Sequence, residues 1–344
     1  MRIVIAAGGT GGHIYPGIAI AEALKNHEVL FIGSLEGLEK DIIKNEGYKI
    51  ELIHARALLR KISYQALSAP FIAIAGFFDT VKILKSYKPK AVVVTGGYVS
   101  FPVIAAAIFL RIPFVLHEQN VLPGFTNRFW AKRAKLVLLS FEESLKYING
   151  TVVGNPVRKR ILSIQRVVED ASSSTKRILI IGGSQGALSL NKEIISSLEE
   201  LKDYQITHII GKRDYARILN GLDLSKYPNY HAFEYLHSIE DAYKNADIVV
   251  SRAGATAIAE ILSIGLPSIL IPFPYAADGH QDINAEVASK AGAAFILKDK
   301  DIKQLPALIK SISLSMLNEM KIAASKLVKK DPANKIADLL NEII

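Results

Sequence analysis

Short apolar runs that end in glycine-containing turns recur along the chain, and each is followed by a longer segment with helical spacing. The clearest pairs of run and following segment are 2–7 with 16–26, 91–95 with 101–110, 177–181 with 188–201, and 248–251 with 255–264. Alternation of this kind is typical of parallel strands joined by right-handed helical crossovers. The pattern therefore predicts an α/β fold.

The opening of this pattern occurs twice. Residues 3–12 and residues 178–186 are each an apolar strand that enters a glycine loop and opens a helix, as at the start of a Rossmann-like domain. The serine-rich stretch 166–176 between them has linker composition. We therefore expect two Rossmann-like domains with parallel sheets facing a central cleft, and a hinge near Asn155-Pro156.

Composition narrows the class of protein. Half of the 344 residues are hydrophobic and 22% are charged, a composition that indicates neither disorder nor a fibrous repeat. The absence of cysteine excludes disulfides and thiolate metal sites. Two apolar stretches, 91–110 and 66–78, are interrupted by Gly96-Gly97 and by Pro70 respectively, so neither is expected to span a membrane. The first residues lack the pattern of a signal peptide, and none is expected.

The net charge of +9 is unevenly distributed. Residues 1–157 carry 18 basic and 11 acidic side chains, and residues 56–90 alone carry seven basic residues against one acid. Such a surface favours a polyanion, either a membrane surface or a nucleic acid. Nucleic acid is the weaker interpretation, because the basic residues are interleaved with a contiguous apolar run and not with evenly spaced stacking aromatics.

The strongest local motif is residues 8–12, in which four of five positions are glycine. Such a loop lets backbone N–H groups approach an anion closely, with a helix N-terminus behind them. It fits neither the usual dinucleotide fingerprint nor a Walker A loop, which weakens the NAD and ATP interpretations. His13 follows directly, and two roles stay equally open for it: a structural cap or a general base.

Further polar residues follow other predicted strands. Residues 96–100 form a second glycine turn, and residues 117–120 follow the strand 113–116, where α/β folds place ligand contacts. Adjacent side chains on a strand point to opposite faces, so a metal site at His117 and Glu118 is disfavoured and a hydrogen-bonding edge is preferred. Residues 182–186 make a second anion-binding loop.

The second half offers a candidate nucleotide site. Residues 251–256 lead into a helix that carries Glu260, which could accept hydrogen bonds from ribose hydroxyls or simply stabilise the helix dipole. The sequence shows no HExxH motif and no cluster of histidines. A pyrophosphate leaving group would then be neutralised by helix N-termini, loop amides and an arginine, for which Arg158 is a candidate.

Seven segments, in order, resemble the MurG family of bacterial N-acetylglucosaminyltransferases, which belongs to glycosyltransferase family 28. They are GGTGGHIYP, GGYVSFP, LHEQNVLPGFTNR, VGNPVR, GGSQGA, RAGATAIAE and HQDINA. The resemblance implies a GT-B fold and a hexosyltransferase that moves GlcNAc from UDP-GlcNAc, with inversion and without a cofactor or obligatory metal. The implied acceptor is the C4 hydroxyl of MurNAc in undecaprenyl-pyrophosphoryl-MurNAc-pentapeptide (lipid I), and the product is lipid II for peptidoglycan.

The resemblance also implies roles for individual residues. It makes His13 the candidate base, places Tyr98 and Glu118 on the acceptor side, and gives Glu260 the ribose and Gln281 the sugar. Ser184 and Arg158 would bind the diphosphate region. The full implied donor-binding set is Thr10, Gly11, Gly12, Asn120, Arg158, Ser184, Leu236, Ala255, Thr256, Ala257, Ile258, Ala259, Glu260 and Gln281. His280 departs from the glutamine that family members often carry beside Gln281.

The resemblance further implies peripheral binding to the cytoplasmic face of the anionic inner membrane. The docking residues would be Phe71, Ile74, Phe77, Phe78, Lys82 and Lys85. Residues 1–157 would then be the acceptor and membrane-docking domain, with a helix at about 328–344 packing back on it, and residues 158–327 the UDP-GlcNAc domain. Expected partners are UDP-GlcNAc, lipid I, and other cell-wall synthesis or division proteins, but no nucleic acid.

Two other function classes fit parts of the pattern. Another GT-B enzyme, such as a UDP-sugar 2-epimerase, would share the donor half but use acidic residues at the sugar ring. A non-catalytic protein that binds nucleotide sugars or polyanions would bind UDP tightly without turnover.

Overall fold

The computed structural model describes residues 1–56, 64–165, 176–183, 186–236 and 238–344, with only the backbone for residues 64–69. The chain divides into two compact units. Unit 1 comprises residues 1–159 together with 329–344, and unit 2 comprises residues 160–328. Most of the serine-rich stretch that resembles a linker lies outside the described residues.

Unit 1 is built on a seven-stranded parallel sheet with strand order β3-β2-β1-β4-β5-β6-β7. Its strands are β1 (Arg2–Ala7), β2 (Glu28–Ser34), β3 (Lys49–Ile53), β4 (Ala91–Gly96), β5 (Phe114–Glu118), β6 (Leu136–Leu139) and β7 (Thr151–Val152). Its α-helices are α1 (Gly11–Ala23), α2 (Glu39–Asn45), α3 (Tyr64–Tyr87), α4 (Ser100–Phe109), α5 (Phe125–Trp130) and, from the end of the chain, α14 (Pro332–Ile343), together with 3₁₀ turns at Ala131–Arg133 and Glu142–Lys146.

Both faces of this sheet are covered by helices. Along β1, Ile3 and Ile5 pack in one cluster with residues of α1, α2 and α14, whereas Val4 and Ala6 pack in another with residues of α3 and α4. Because successive strand residues point to opposite faces, a strand buried on both sides is apolar throughout. The return of α14 follows from its own pattern, since Ile336, among others, completes the first cluster.

The start of α1 differs from the sequence prediction. The sequence pattern gave 16–26 as the segment with helical spacing, and proline at its first position is compatible with a helix start. The helix instead begins at Gly11 and contains Pro16 in its second turn. Proline lacks an N–H, so the helical hydrogen bond to the carbonyl of Gly12 is lost at that point. The earlier start places His13 on the first turn of the helix.

Unit 2 is built on a six-stranded parallel sheet with strand order β10-β9-β8-β11-β12-β13. Its strands are β8 (Arg177–Ile181), β9 (Gln205–Ile209), β10 (Tyr230–Phe233), β11 (Ile248–Ser251), β12 (Ser268–Leu270) and β13 (Ala294–Ile296). Its α-helices are α6 (Lys159–Leu162, which begins at the unit boundary), α7 (Leu188–Ser196), α8 (Tyr215–Leu219), α9 (Glu240–Asn245), α10 (Ala255–Ser263), α11 (His280–Lys290), α12 (Leu305–Ser311) and α13 (Leu314–Leu327), with 3₁₀ turns at Leu224–Lys226, Ala277–Gly279 and Asp299–Gln304.

The two sheets share one topology. In each, the third, second, first and fourth strands of the unit are neighbours in that order, followed by the fifth and sixth. This is the order of a Rossmann-like domain, so the predicted pair of Rossmann-like α/β domains is confirmed. Strand order reverses beside the first strand of each unit, and ligands of such sheets bind beyond the strand ends at that point. Over the described residues, no helix combines the length and the apolar character that a bilayer span requires.

Candidate active site

Three loops of unit 1 meet at the carboxyl edge of its sheet. Strands β1, β4 and β5 are adjacent, so the loops at residues 8–10, 97–99 and 119–124 that follow them lie side by side. The first and second are glycine-rich, and the third is polar. Residues from distant parts of the sequence are therefore brought into hydrogen-bonding distance.

Two glycines allow these loops to approach. A Cβ atom at Gly97 would lie 2.0 Å from the carbonyl oxygen of Gly8, and Gly97 has a φ of +83°. A Cβ atom at Gly96 would lie 2.5 Å from Nδ1 of His13. Gly97 therefore allows close packing against the loop after β1, and Gly96 allows close packing against the His13 ring on α1, in addition to backbone conformation.

Replacing Gly97 by alanine should destabilise unit 1. We expect Gly97→Ala to lower the free energy of unfolding by about 2–5 kcal/mol, because a left-handed conformation costs roughly 1–2 kcal/mol and a backbone clash adds about 1–3. Urea denaturation of the wild-type and Gly97→Ala proteins measures this difference in the free energy of unfolding. Gly47→Ala is the matched control, since Gly47 has a φ of +81° with no atom within 4 Å of its Cβ position. Equal losses for the two variants would show that the clash is relieved without cost.

His13 lies at the centre of this edge. Its Nδ1 atom is 3.1 Å from the carbonyl oxygen of Thr95 and 3.0 Å from Oε1 of Gln119. The hydroxyl of Thr95 in turn donates to the carbonyl of His13, at 2.8 Å. The ring is half-buried, and within the described part of the chain only its Nδ1 nitrogen has a hydrogen-bonding partner. The arrangement suits a general base that acts through Nε2.

Beneath it lies a buried histidine. Nε2 of His117 is 3.2 Å from the carbonyl oxygen of Gly154, and its Nδ1 is 2.9 Å from Nε2 of Gln119. Complete burial lowers the pKa of His117 to about 4, so this ring is neutral at pH 7. Sequence reasoning gave neither His117 nor Gln119 an individual role. The one signal was their position at the end of a strand.

Glu118 organises the polar loop that follows β5. One carboxylate oxygen accepts hydrogen bonds from the backbone and side-chain amides of Asn120, at 2.9 and 3.1 Å. The other accepts from the backbone of Gly124 and from Asn127, at 2.9 and 2.7 Å. Four donors hold a carboxylate that is 2% exposed. The contacts that Glu118 makes are thus with its own loop, and an acceptor-side role stays a prediction.

Two other predicted residues flank the first glycine loop. The Tyr98 ring lies against Gly9, where an added Cβ would be 3.1 Å from the ring, and burial raises the pKa of its phenol, which therefore stays protonated. Arg158 is 3% exposed and its guanidinium stacks 3.9 Å from the ring centroid of Tyr15 on α1. The contact places Arg158 within unit 1, beside the helix that carries His13.

Unit 2 has its own junction of strand ends. Strands β8 and β11 are neighbours, so residues 182–187 and 252–254 follow adjacent strands. Arg252 is buried and donates to Oδ1 of Asp299 at 2.6 Å and to Oγ of Ser189 at 2.8 Å. The sequence pattern gave no sign of this link, which ties the turn before α10 to the start of α7.

The predicted donor residues on α10 lie in its first two turns. Ala255, Thr256 and Ile258 are buried, and Ala257 and Ala259 are half-buried. The helix begins directly after Gly254, so its first N–H groups lie at the carboxyl edge of the sheet.

Glu260, the predicted ribose ligand, is 5% exposed. One of its carboxylate oxygens lies 3.4 Å from the hydroxyl of Tyr243 on α9. Tyr243 is fully buried, and sequence reasoning did not identify it.

Two further predicted donor residues, Gln281 and Leu236, lie along the same edge of unit 2. The side-chain oxygen of Gln281, at the start of α11, accepts from the backbone N–H of Phe273 at 2.9 Å and so ties α11 to the loop after β12. Leu236 follows the edge strand β10 and is half-buried. Ser184 lies outside the described residues. Thr10 and Gly12 belong to the loop and first turn discussed above. Among the described residues, no three His, Asp or Glu side chains are grouped to hold a metal ion.

Two family models match the chain and together cover most of it. The glycosyltransferase family 28 N-terminal domain matches residues 3–139, and the family 28 C-terminal domain matches residues 177–340. The chain belongs to glycosyltransferase family 28. Each domain model thus begins in or beside the first strand of a sheet and includes the glycine loop that follows it.

Relatives of this family 28 chain share one name. A protein of Halothermothrix orenii is 41% identical over 88% of this chain and 87% of its own length, and one of Caldanaerobacter subterraneus is 38% identical over the whole of both. Both are named UDP-N-acetylglucosamine--N-acetylmuramyl-(pentapeptide) pyrophosphoryl-undecaprenol N-acetylglucosamine transferase.

Solved structures agree with the fold. The crystal structure of Acinetobacter baumannii MurG has a TM-score of 0.74 at 27% identity, over 99% of both chains. CalG4, the calicheamicin glycosyltransferase, has a TM-score of 0.69 at 13% identity, which shows the shared fold alone. The family 28 chain therefore has the GT-B architecture of two Rossmann-like domains.

Proposed function

We propose that this family 28 chain transfers N-acetylglucosamine from UDP-N-acetylglucosamine to the C4 hydroxyl of the muramyl sugar in lipid I, giving lipid II. The observation that carries the proposal is the name shared by relatives that are 37–41% identical over nearly the full chain. The geometry of the two strand edges is compatible with it. Unit 1 offers a basic nitrogen, and unit 2 offers helix N-termini beside a buried carboxylate.

In unit 1, His13 is the proposed general base. As the acceptor oxygen attacks C1 of the sugar, its proton passes to Nε2 of His13, and the bond from C1 to the diphosphate oxygen breaks. Attack from the face opposite the leaving group inverts the configuration at C1. The departing UDP carries the electron pair of that bond as negative charge on its terminal phosphate.

In unit 2, the donor is proposed to lie at the edge where β8 and β11 end. The backbone N–H groups at the start of α10 would face the developing negative charge on the diphosphate, as helix N-termini do in other phosphate sites. Glu260 would accept hydrogen bonds from the ribose hydroxyls, and Gln281 would contact the sugar. Arg158 and Ser184 are proposed for the diphosphate, without a requirement for a bound cation.

Donor selectivity tests the assignment most directly. With a lipid I analogue as acceptor, we expect turnover with UDP-GlcNAc and little with UDP-GalNAc or UDP-glucose, and turnover in the presence of EDTA. Preference for another nucleotide sugar would overturn the substrate, and complete loss of turnover with EDTA would overturn the metal-independent chemistry. Tight binding of UDP with no transfer to any acceptor would favour a binding protein.

The acceptor is a lipid, and α3 offers a suitable surface for it. Phe71, Ile74 and Phe78 are 74%, 55% and 64% exposed. With the exposed Lys82 and Lys85 they follow one another at intervals of three or four residues, which places all five on one stripe of the helix. Such a stripe is typical of helices that lie in a membrane interface. We propose that this apolar and basic stripe binds the anionic cytoplasmic surface of the membrane peripherally.

Two further phenylalanines bear on this surface. Phe77, also predicted to dock, is half-buried, and its ring centroid lies 5.7 Å from that of Phe109 on α4. Phe109 is 64% exposed and was not predicted. Phe77 packs beside the stripe, and the exposed ring of Phe109 extends the apolar surface toward α4.

Reversing the charge of the stripe should release the protein from anionic vesicles. We expect Lys82→Glu with Lys85→Glu to lower the partition coefficient by at least about 25-fold, because loss of each lysine alone costs roughly fivefold and each glutamate adds repulsion, while turnover of a water-soluble acceptor is kept. Vesicle sedimentation measures the partition. Lys40→Glu with Lys44→Glu is the matched control, because α2 covers the opposite face of the sheet. Equal losses for both pairs would indicate binding through net charge alone.

A further inference from the structure

A continuous set of hydrogen bonds runs from the interior of unit 1 to the proposed base. Its members, in order, are the carbonyl of Gly154, the ring of His117, the side-chain amide of Gln119 and the ring of His13, with the carbonyl of Thr95 beside the last. The joining distances are 3.2, 2.9, 3.0 and 3.1 Å, all within the range of ordinary hydrogen bonds. We call this set the His117–Gln119–His13 chain.

The donor and the acceptor of each hydrogen bond in this chain can be assigned by starting from the carbonyl of Gly154. A backbone carbonyl can only accept, so Nε2 of His117 must carry a proton and donate it to Gly154. The buried ring holds a single proton at neutral pH, because burial disfavours its charged form. Nδ1 of His117 therefore has a lone pair and must accept.

The orientation of the Gln119 amide is then fixed. Its NH₂ group must face Nδ1 of His117, and the same nitrogen lies 3.1 Å from the carbonyl oxygen of His117, which is also an acceptor. The amide oxygen is left facing Nδ1 of His13, at 3.0 Å. In the opposite orientation, the amide oxygen would face two acceptors, Nδ1 and the carbonyl oxygen of His117, with no donor between them.

His13 is thereby held in one tautomer. Its Nδ1 lies between two oxygens that can only accept in this orientation, those of Gln119 and Thr95, so Nδ1 carries the proton. We propose that Gln119 and His117 are positioning residues that keep the neutral His13 ring protonated at Nδ1, so that Nε2 presents a lone pair. The proposal builds on the proposed function only in naming the acceptor hydroxyl as the source of the proton that Nε2 receives.

The same set serves both protonation states of His13. When Nε2 takes a proton, Nδ1 still donates to the same two oxygens, so no neighbouring group has to turn. Both carbonyl dipoles point their negative ends at the ring and favour the positive charge that forms there. A histidine without these acceptors would distribute its proton between the two nitrogens, and only part of the molecules would have a basic Nε2.

Nitrogen NMR of the full chain with ¹⁵N-labelled histidine tests the tautomer without any assay of activity. Long-range proton–nitrogen correlations distinguish protonated from unprotonated ring nitrogens, and the spectrum of His13→Gln identifies the His13 signals among the eight histidines. We expect His13 to be protonated at Nδ1, and His117 at Nε2. A wild-type His13 ring protonated at Nε2 overturns the proposal.

Two nearly isosteric substitutions test the part played by Gln119. Gln119→Met removes both the oxygen and the NH₂ group and leaves the Thr95 carbonyl as the remaining acceptor at Nδ1. We therefore expect the share of His13 rings protonated at Nε2 to rise above that of the wild type, and kcat to fall about three- to tenfold with the donor KM unchanged. Gln119→Glu keeps an oxygen toward His13, so Nδ1 should stay protonated, while His117 should take up a second proton to bond the carboxylate. Wild-type tautomers of both histidines in both variants would overturn the role of Gln119.

The outcomes separate this proposal from the function on which it builds. If His13 shows the expected tautomer but His13→Ala leaves kcat intact, the positioning role of the His117–Gln119–His13 chain is supported and His13 is not the base. If wild-type His13 shows the other tautomer while His13→Ala abolishes turnover, His13 remains the proposed base and the positioning role of Gln119 and His117 is overturned. Thermal melting of each Gln119 variant distinguishes a loss of kcat from a loss of folded protein.

Discussion

His13→Ala should lower kcat by about 10²- to 10⁴-fold, the usual range for removing a general base, with the KM for UDP-GlcNAc within about threefold of wild type. The expected fall in kcat follows because Nε2 of His13 is the proposed acceptor of the proton from the acceptor hydroxyl. The donor KM should change little, because the proposed contacts with UDP-GlcNAc are made by other residues. Steady-state kinetics with a lipid I analogue and varied donor separates the two parameters. A parallel rise in the donor KM would point to a role in binding and not in proton transfer.

The substitution also leaves hydrogen-bonding groups unpaired, which requires a control. Removing the ring deprives the buried oxygen of Gln119 of a donor, at a cost to stability of about 1–3 kcal/mol. Melting curves should therefore accompany the kinetics, and rates should be compared well below the transition. His231→Ala is the matched histidine control, because His231 is exposed on β10 and should leave kcat unchanged. A kcat of His13→Ala near that of the wild type would exclude His13 as the base.

The fold was predictable because its signals are local. The runs of β1, β8 and β11 are bounded by glycine or polar residues at both ends, and the structure starts and stops these strands at the predicted positions. The helical spacing put the segment after β1 at 16–26, whereas α1 begins at Gly11. Packing of Ile14 and Ile18 in the core fixes the first turns of that helix, and it tolerates one missing hydrogen bond.

The candidate site was predictable in outline but not in its pairings. The sequence predicted that residues 8–13 and 117–120 follow strands, and parallel topology then brings them to one edge. That Gln119 lies between His13 and His117 depends on strand order and side-chain direction across 106 residues of sequence. Glu118 shows the same limit, because its four donors come from the loop that it folds, and no spacing rule gives those contacts.

Glu260→Ala should raise the KM for UDP-GlcNAc by about 10- to 100-fold, because hydrogen bonds to a charged group contribute about 1.5–3 kcal/mol each. We expect kcat and the KM for the acceptor to stay within about threefold, since the ribose takes no part in bond breaking. The ribose belongs to UDP itself, so the dissociation constant of UDP, measured by calorimetry, should rise by a similar factor. Unchanged affinity for UDP would remove Glu260 from the ribose.

Gln281→Ala provides the contrast that makes this test specific. If Gln281 contacts the sugar, its loss should weaken UDP-GlcNAc but leave the affinity for free UDP near the wild-type value. Tyr243→Phe controls for packing around Glu260, because it removes only the hydroxyl 3.4 Å from the carboxylate. If Tyr243→Phe raises the dissociation constant of UDP as much as Glu260→Ala does, Glu260 acts by holding α9 against α10. The alanine variant would then disturb the packing at this edge of the sheet and not a direct contact with the ribose.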